Sequence, residues 1–168
     1  DNTAVGFCSL ATNTTGTLNT AVGRHSLLAN TTGSCNTAIG LSALRCNTTA
    51  DSNTAVGMNS LVANTTGTAN VAVGRNAGDA ITTGSCNVAI GFGSLTTNIT
   101  GTSNVAIGRD TLATNTASAN TAVGHQTLIG NTTATANTGL GFRSFYNNTT
   151  GGGNTASGYQ TLYTNTTG

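Results

Sequence analysis

An Asn-Thr-Ala-Val-Gly motif recurs along the whole chain, almost always seventeen residues after its last copy. Copies begin at Asn2, Asn19, Asn36, Asn53, Asn70, Asn87 and Asn104; one residue is then missing, and the series resumes at Asn120, Asn137 and Asn154. A unit this short cannot bury an apolar face by itself, so each must stack on its neighbours. Nothing is left over for a second domain, and residues 1–168 read as one repeat array. The array runs from Asp1 to Gly168 without a distinct capping unit. That predicts a piece of a longer array, or of a polymer joined through unpaired strand edges.

A full unit reads Asn19-Thr20-Ala21-Val22-Gly23, Arg24-His25-Ser26-Leu27, Leu28-Ala29-Asn30, Thr31-Thr32-Gly33-Ser34-Cys35. It has no helical period; Thr and Val favour strands, while Gly and Asn punctuate turns. The expected fold is all-β: a parallel β-solenoid (β-roll or β-helix) of ten turns, each with one short strand through Thr-Ala-Val and another around Ser-Leu. Parallel strands spaced about 4.8 Å apart would make a rod roughly 48 Å long.

Positions are counted from the first Asn of each unit. The fourth column (Val5, Val22, Ile39, Val56, Val73, Ile90, Ile107, Val123, Leu140, Ser157) and the ninth (Leu10, Leu27, Leu44, Leu61, Leu95, Leu112, Leu128, Phe145, Leu162) are both expected in the core. The fifth unit breaks the ninth column with Ala77-Gly78-Asp79-Ala80-Ile81, which reads as a shifted or bulged turn. Strand alternation puts the second column, Thr or Val, on the same side as the fourth. The third column, Ala in every unit but the one with Gly139, then faces the other way. The preferred assignment is Val inward. The inverse, a thin coil that buries Ala and exposes Thr and Val, satisfies the same alternation. The first-position Asn and the Asn that heads the following turn can form hydrogen-bonded ladders along the rod.

Composition narrows the function classes. The chain is 5% charged, against roughly 25% in ordinary globular proteins. A net charge of +1 gives no long-range field to draw in nucleic acid or an anionic membrane. No segment has the apolar length of a membrane span. Catalysis has little support: His25 and His125 lie about six turns apart, the Asp residues are scattered, and a thin solenoid offers no deep pocket. No enzyme activity, metal or cofactor is expected.

Four sets of residues are candidates for contact or modification. The sixth column varies freely between bulky and charged types (Phe7, Arg24, Leu41, Met58, Arg75, Phe92, Arg109, His125, Phe142, Tyr159) and suits an exposed strip that touches a partner or glycan. Thr15, Thr17, Thr32, Thr66, Thr68, Thr83, Thr100, Thr102, Thr133 and Thr135 form Thr-Gly-Thr-like ranks, and such ranks resemble the ice-binding faces of insect-type antifreeze proteins. Asn13, Asn30, Asn47, Asn64, Asn98, Asn131, Asn147, Asn148 and Asn165 begin Asn-x-Thr sequons, which would carry N-glycans if the chain passes through a eukaryotic secretory pathway; the ladder role competes with this. Cys8, Cys35, Cys46 and Cys86 are too far apart for a disulfide within the coil: Cys35 and Cys86 share a column but lie three turns, about 14 Å, apart. Small buried thiols or bridges to another chain remain.

Val88-Ala89-Ile90-Gly91 and Val105-Ala106-Ile107-Gly108, each preceded by Asn, resemble the head repeats of trimeric autotransporter adhesins. The longer unit, with Ser-Leu and Asn-Thr-Thr-Gly, also resembles repeats of phage and viral tail-fibre-like proteins and of large bacterial surface proteins. The resemblance implies a left-handed coil, self-association as a trimer or filament, a location outside the cell or on a cell or virion surface, and a host-surface or glycan partner. The expected function is therefore structural, an extracellular fibre, adhesin or tail-fibre-like rod, with ice binding as the alternative.

Overall fold

The computed structural model of the chain describes residues 1–168. Ten three-residue strands follow one another: β1 (Thr3–Val5), β2 (Thr20–Val22), β3 (Thr37–Ile39), β4 (Thr54–Val56), β5 (Val71–Val73), β6 (Val88–Ile90), β7 (Val105–Ile107), β8 (Thr121–Val123), β9 (Thr138–Leu140) and β10 (Thr155–Ser157). They form one parallel sheet in sequence order. Register follows the repeat: Thr20, Ala21 and Val22 face Thr37, Ala38 and Ile39. The chain is thus a β-solenoid of about seventeen residues per turn, as the sequence predicts.

The expected second strand around Ser-Leu does not form, and that stretch is a run of tight turns. Only 18 of the 100 backbone hydrogen bonds lie within strands; the other 82 hold turns, most of them to the next coil. The Asn-Thr-Thr-Gly corner shows how. The carbonyl of Thr31 accepts from the amides of Thr14, Thr15 and Gly16 one coil earlier, at 2.9, 3.1 and 3.3 Å. Three successive amides therefore converge on one oxygen, a concavity that elsewhere cradles anions.

The tight coil imposes an unusual backbone. The seventh, ninth and seventeenth positions sit in the left-handed region even with side chains, as at His25 (φ 61), Leu27 (φ 47) and Cys35 (φ 59). Each such residue costs roughly 1–2 kcal/mol. Turn-to-turn hydrogen bonds and the buried Leu column offset this. The fifth position goes further, with φ 133 at Gly40, and a Cβ there would lie 2.6 Å from the Gly57 carbonyl oxygen. That explains why the fifth position is Gly in all ten units.

The core corrects the inside/outside assignment. The ninth column is buried as expected: Leu27, Leu44, Leu61, Leu95, Leu112, Leu128 and Phe145 are fully enclosed. Facing it across the coil is the Ala column, with Ala21, Ala38, Ala55, Ala72, Ala106 and Ala122 also fully buried. The second and fourth columns, read from the sequence as core, point outward; Ile39 and Leu140 are each 40% exposed. The coil is so thin that the Leu side chains leave room for only a methyl opposite.

In the fifth unit Gly78 takes the Leu position and Ile81 fills its space. Ile81 is fully buried, and a Cβ on Gly78 would lie 3.0 Å from its Cδ1. The core is refilled from three residues further along, so the break is a swap of columns.

Candidate functional site

Two asparagine ladders run inside the coil. Along the first, the Asn36 amide N–H donates to Asn19 Oδ1 at 2.9 Å, and the Asn53 N–H donates to Asn36 Oδ1 at 2.9 Å. The pattern continues without interruption to Asn154. Along the second, Asn47 Nδ2 donates to Asn30 Oδ1 at 2.8 Å, and Asn64 Nδ2 to Asn47 Oδ1 at 2.9 Å. The ladders meet at one atom in each turn: the Ala50 carbonyl accepts from both Asn36 Nδ2 (2.8 Å) and Asn47 Nδ2 (3.0 Å). Both lone pairs of that oxygen are used, as burial demands.

This placement decides what the sequons can do in the folded chain. Asn30, Asn47, Asn64, Asn98, Asn131 and Asn148 are fully buried. Their Nδ2 atoms, the atoms that a glycan would occupy, are hydrogen-bonded within the coil, as at Asn98 to Gly101 and Asn131 to Ala134. Asn13 and Asn165, half-buried at the two ends of the ladder, are bonded in the same way. A glycan on any of these would have to break the ladder; Asn147 alone among the sequons is exposed.

The thiols are not the small buried groups expected from the sequence. Cys8, Cys35 and Cys86 are exposed, Cys46 is half-buried, and all four are free. The Thr-Gly-Thr ranks are exposed too, but on the Asn-Thr-Thr-Gly corner and outside any strand; Thr32, Thr66, Thr83 and Thr100 all lie there. Their neighbours have a structural task, since Thr17, Thr68 and Thr102 donate backbone N–H groups to Ser34, Ser85 and Ser118 hydroxyls at 3.0 Å.

The sixth column forms a corner beside the sheet, where its side chains stack from turn to turn. Phe92 is held between the guanidinium groups of Arg75 and Arg109, each 5.8 Å from the ring centre. His125, Phe142 and Tyr159 continue the stack at centroid distances of 5.5 and 5.4 Å. Arg143, one residue further on, lies 5.0 Å from the Phe142 ring and 5.3 Å from that of Tyr146. Its Nε donates to Gln126 Oε1 at 2.8 Å. Arg24 lies 6.0 Å from Phe7 at the start of the corner.

The surface that sequence reasoning missed is the outer face of the sheet. Its two columns, Thr or Val at the second position and Val, Ile or Leu at the fourth, are in register along the strands and carry no charge. Val71, Val88 and Val105 replace Thr in β5 to β7, so the middle of the face is apolar in both columns. The signal was the near-invariant Ala between them, whose small size marks the inner position of a thin coil. Elsewhere the surface has no cavity, and no three metal-binding side chains come together. Compared with known proteins, the chain matches no family model, no curated protein and no solved structure.

Proposed function

We propose that this chain is a structural rod of an extracellular fibre, adhesin or tail-fibre-like assembly, and that copies pack side by side, as a trimer or a filament, through the outer face of the sheet. The observation that carries this is the pair of uncharged columns on that face, flat, in register and centred on Val88 and Ile90. Contiguous apolar surface of this kind is uncommon on a monomer and marks interaction sites. A like face on a second copy supplies a complementary partner, since both present the same rows at the same spacing. Electron microscopy and light scattering of native material test the reading. Bundled rods or filaments are expected, reverting to single rods in a Val88→Asp/Val105→Asp variant. Isolated single coils in the parent chain at tens of micromolar would refute it.

Ice binding is the second reading, supported by the same flatness. Thr3, Thr20, Thr37, Thr54, Thr121, Thr138 and Thr155 form a ranked column of hydroxyls and methyls on the sheet. This column is a better lattice than the corner ranks. Thermal hysteresis lost in Thr37→Tyr and kept in Thr66→Tyr would favour it; no hysteresis in the parent chain would remove it.

A further inference from the structure

Four of the five arginines, Arg24, Arg75, Arg109 and Arg143, lie along the single corner built from the sixth and seventh columns. We infer that this corner is a docking strip for an anionic polysaccharide. Arg75, Arg109 and Arg143 follow one another at intervals of two turns, about 9.6 Å on the inter-strand spacing. Each guanidinium lies against an aromatic ring, Phe92 for the first two and Phe142 for the third. Such stacking holds a long side chain in place and reduces the rotamer freedom lost on binding. The charges stay accessible: the Arg109 side chain is 64% exposed. Asp110 is the one acid on the corner and pairs with Arg109 Nε at 3.2 Å.

The spacing selects the kind of polyanion. An extended polysaccharide that alternates neutral and anionic sugars carries its charges one per two rings, a distance of the same order as two turns of this coil. Duplex DNA carries one charge per about 1.7 Å, far denser than this line of cations can neutralise. Single-stranded nucleic acid also needs free aromatic faces for its bases. Here those faces are occupied, by Arg75 and Arg109 on Phe92 and by Tyr159 on Phe142. The rings position cations and leave their edges to solvent. The corner lies beside the sheet face, so an assembly packed through that face can still present it, and the inference stands whether or not the chain self-associates.

The test is elution of the full chain from immobilised heparin, a sulfated polysaccharide, and from neutral dextran and oligothymidylate of matched loading. Retention on heparin at low salt is expected, weakening as salt shortens the screening length toward about 10 Å at 0.1 M. The Arg75→Gln/Arg109→Gln/Arg143→Gln variant should bind about tenfold more weakly, the combined effect of three exposed ion pairs. Arg45→Gln, which removes the one arginine off the corner, should bind like the parent. No retention of the parent on heparin, equal retention on dextran or oligothymidylate, or equal losses in the Arg45 and triple variants would overturn the assignment. Matching circular dichroism of the triple variant and the parent ensures that the loss reads the corner and not the fold.

Discussion

The two asparagine ladders run side by side through the same coil, yet one is continuous and the other is cut twice. The first passes through every turn from Asn2 to Asn154. The second loses a rung at Ile81, where Asn stands in the neighbouring turns, and Asn64 Oδ1 is left buried without a donor. It is cut again at the short turn. There Asn115 Nδ2 donates to Ala117 inside its own corner, and Asn98 Oδ1 is orphaned. The difference separates two tasks. The first ladder binds each coil to the next through the backbone N–H of the following Asn, so a gap would open the coil contact itself. The second links side chains, and the backbone ladder around it survives a missing rung.

The largest effect should follow from breaking the continuous ladder. Asn36→Ala removes the acceptor of the Asn53 N–H and one of the two donors to Ala50. With buried groups left unpaired, a loss of roughly 2–4 kcal/mol is expected by urea denaturation. Asn98→Ala should cost clearly less, because Asn98 already has an unpaired oxygen and makes one side-chain hydrogen bond, to Gly101. Equal losses would mean that the two ladders are energetically alike.

Repairing the first cut should show coupling. Gly78→Leu alone overfills the space that Ile81 occupies and should destabilise by about 1–3 kcal/mol. Ile81→Asn alone empties that space and should also destabilise. Together they restore the pattern of the other turns: φ at Gly78 is 59, close to the 48 and 55 of Leu61 and Leu95, so Leu fits once Ile81 is gone. A double-mutant cycle should give a favourable interaction above about 1 kcal/mol; additive losses would show that the fifth turn has adapted to its own residues.

A threonine inserted after Thr116 restores the seventeen-residue turn and offers Asn98 Oδ1 a donor, for a gain of about 1 kcal/mol in thermal denaturation. The smallest effect lies beside the first cut. Partial burial raises the Asp79 carboxyl above its usual value of 3.8, against weaker lowering by backbone hydrogen bonds from Asp79 and Ala80. A folded pKa above the unfolded one means that the folded chain holds this proton more tightly. The associated stability is present below pH 3.8 and is lost as pH rises through the folded pKa. Asp79→Asn should therefore flatten the decline in melting temperature between acid and neutral pH and leave the chain slightly more stable at pH 7. An unchanged slope would show that Asp79 is not its source.

Much of this was legible in the residues. The period predicts the parallel stack, the strict first-position Asn predicts a ladder, and the Leu column predicts the core. Turn chemistry places the corner at Asn-Thr-Thr-Gly. The Ser-Leu stretch misled because Leu is apolar at a regular interval, and regular intervals suit a strand as well as a tight turn. Its left-handed backbone at Leu27 and Leu44 leaves no mark in a sequence, since Leu ordinarily avoids that conformation. The corner strip was visible as a variable column, but its order was not: the stacking of Arg75, Phe92 and Arg109 depends on side chains meeting between turns.

The sequence by itself determined the repeat, the register and which residues share a column, because a seventeen-residue period superposes like on like. It also divided each strand into two faces, because successive side chains alternate. It did not determine which face is inside. That was decided by the thickness of the coil. At Gly139, a methyl in the Ala column would already lie 2.7 Å from Thr127 Cγ2 and 3.4 Å from Leu128 Cδ1. With Leu filling the interior from the opposite wall, only a methyl fits beneath the sheet. Valine and isoleucine, apolar as they are, are forced to the surface.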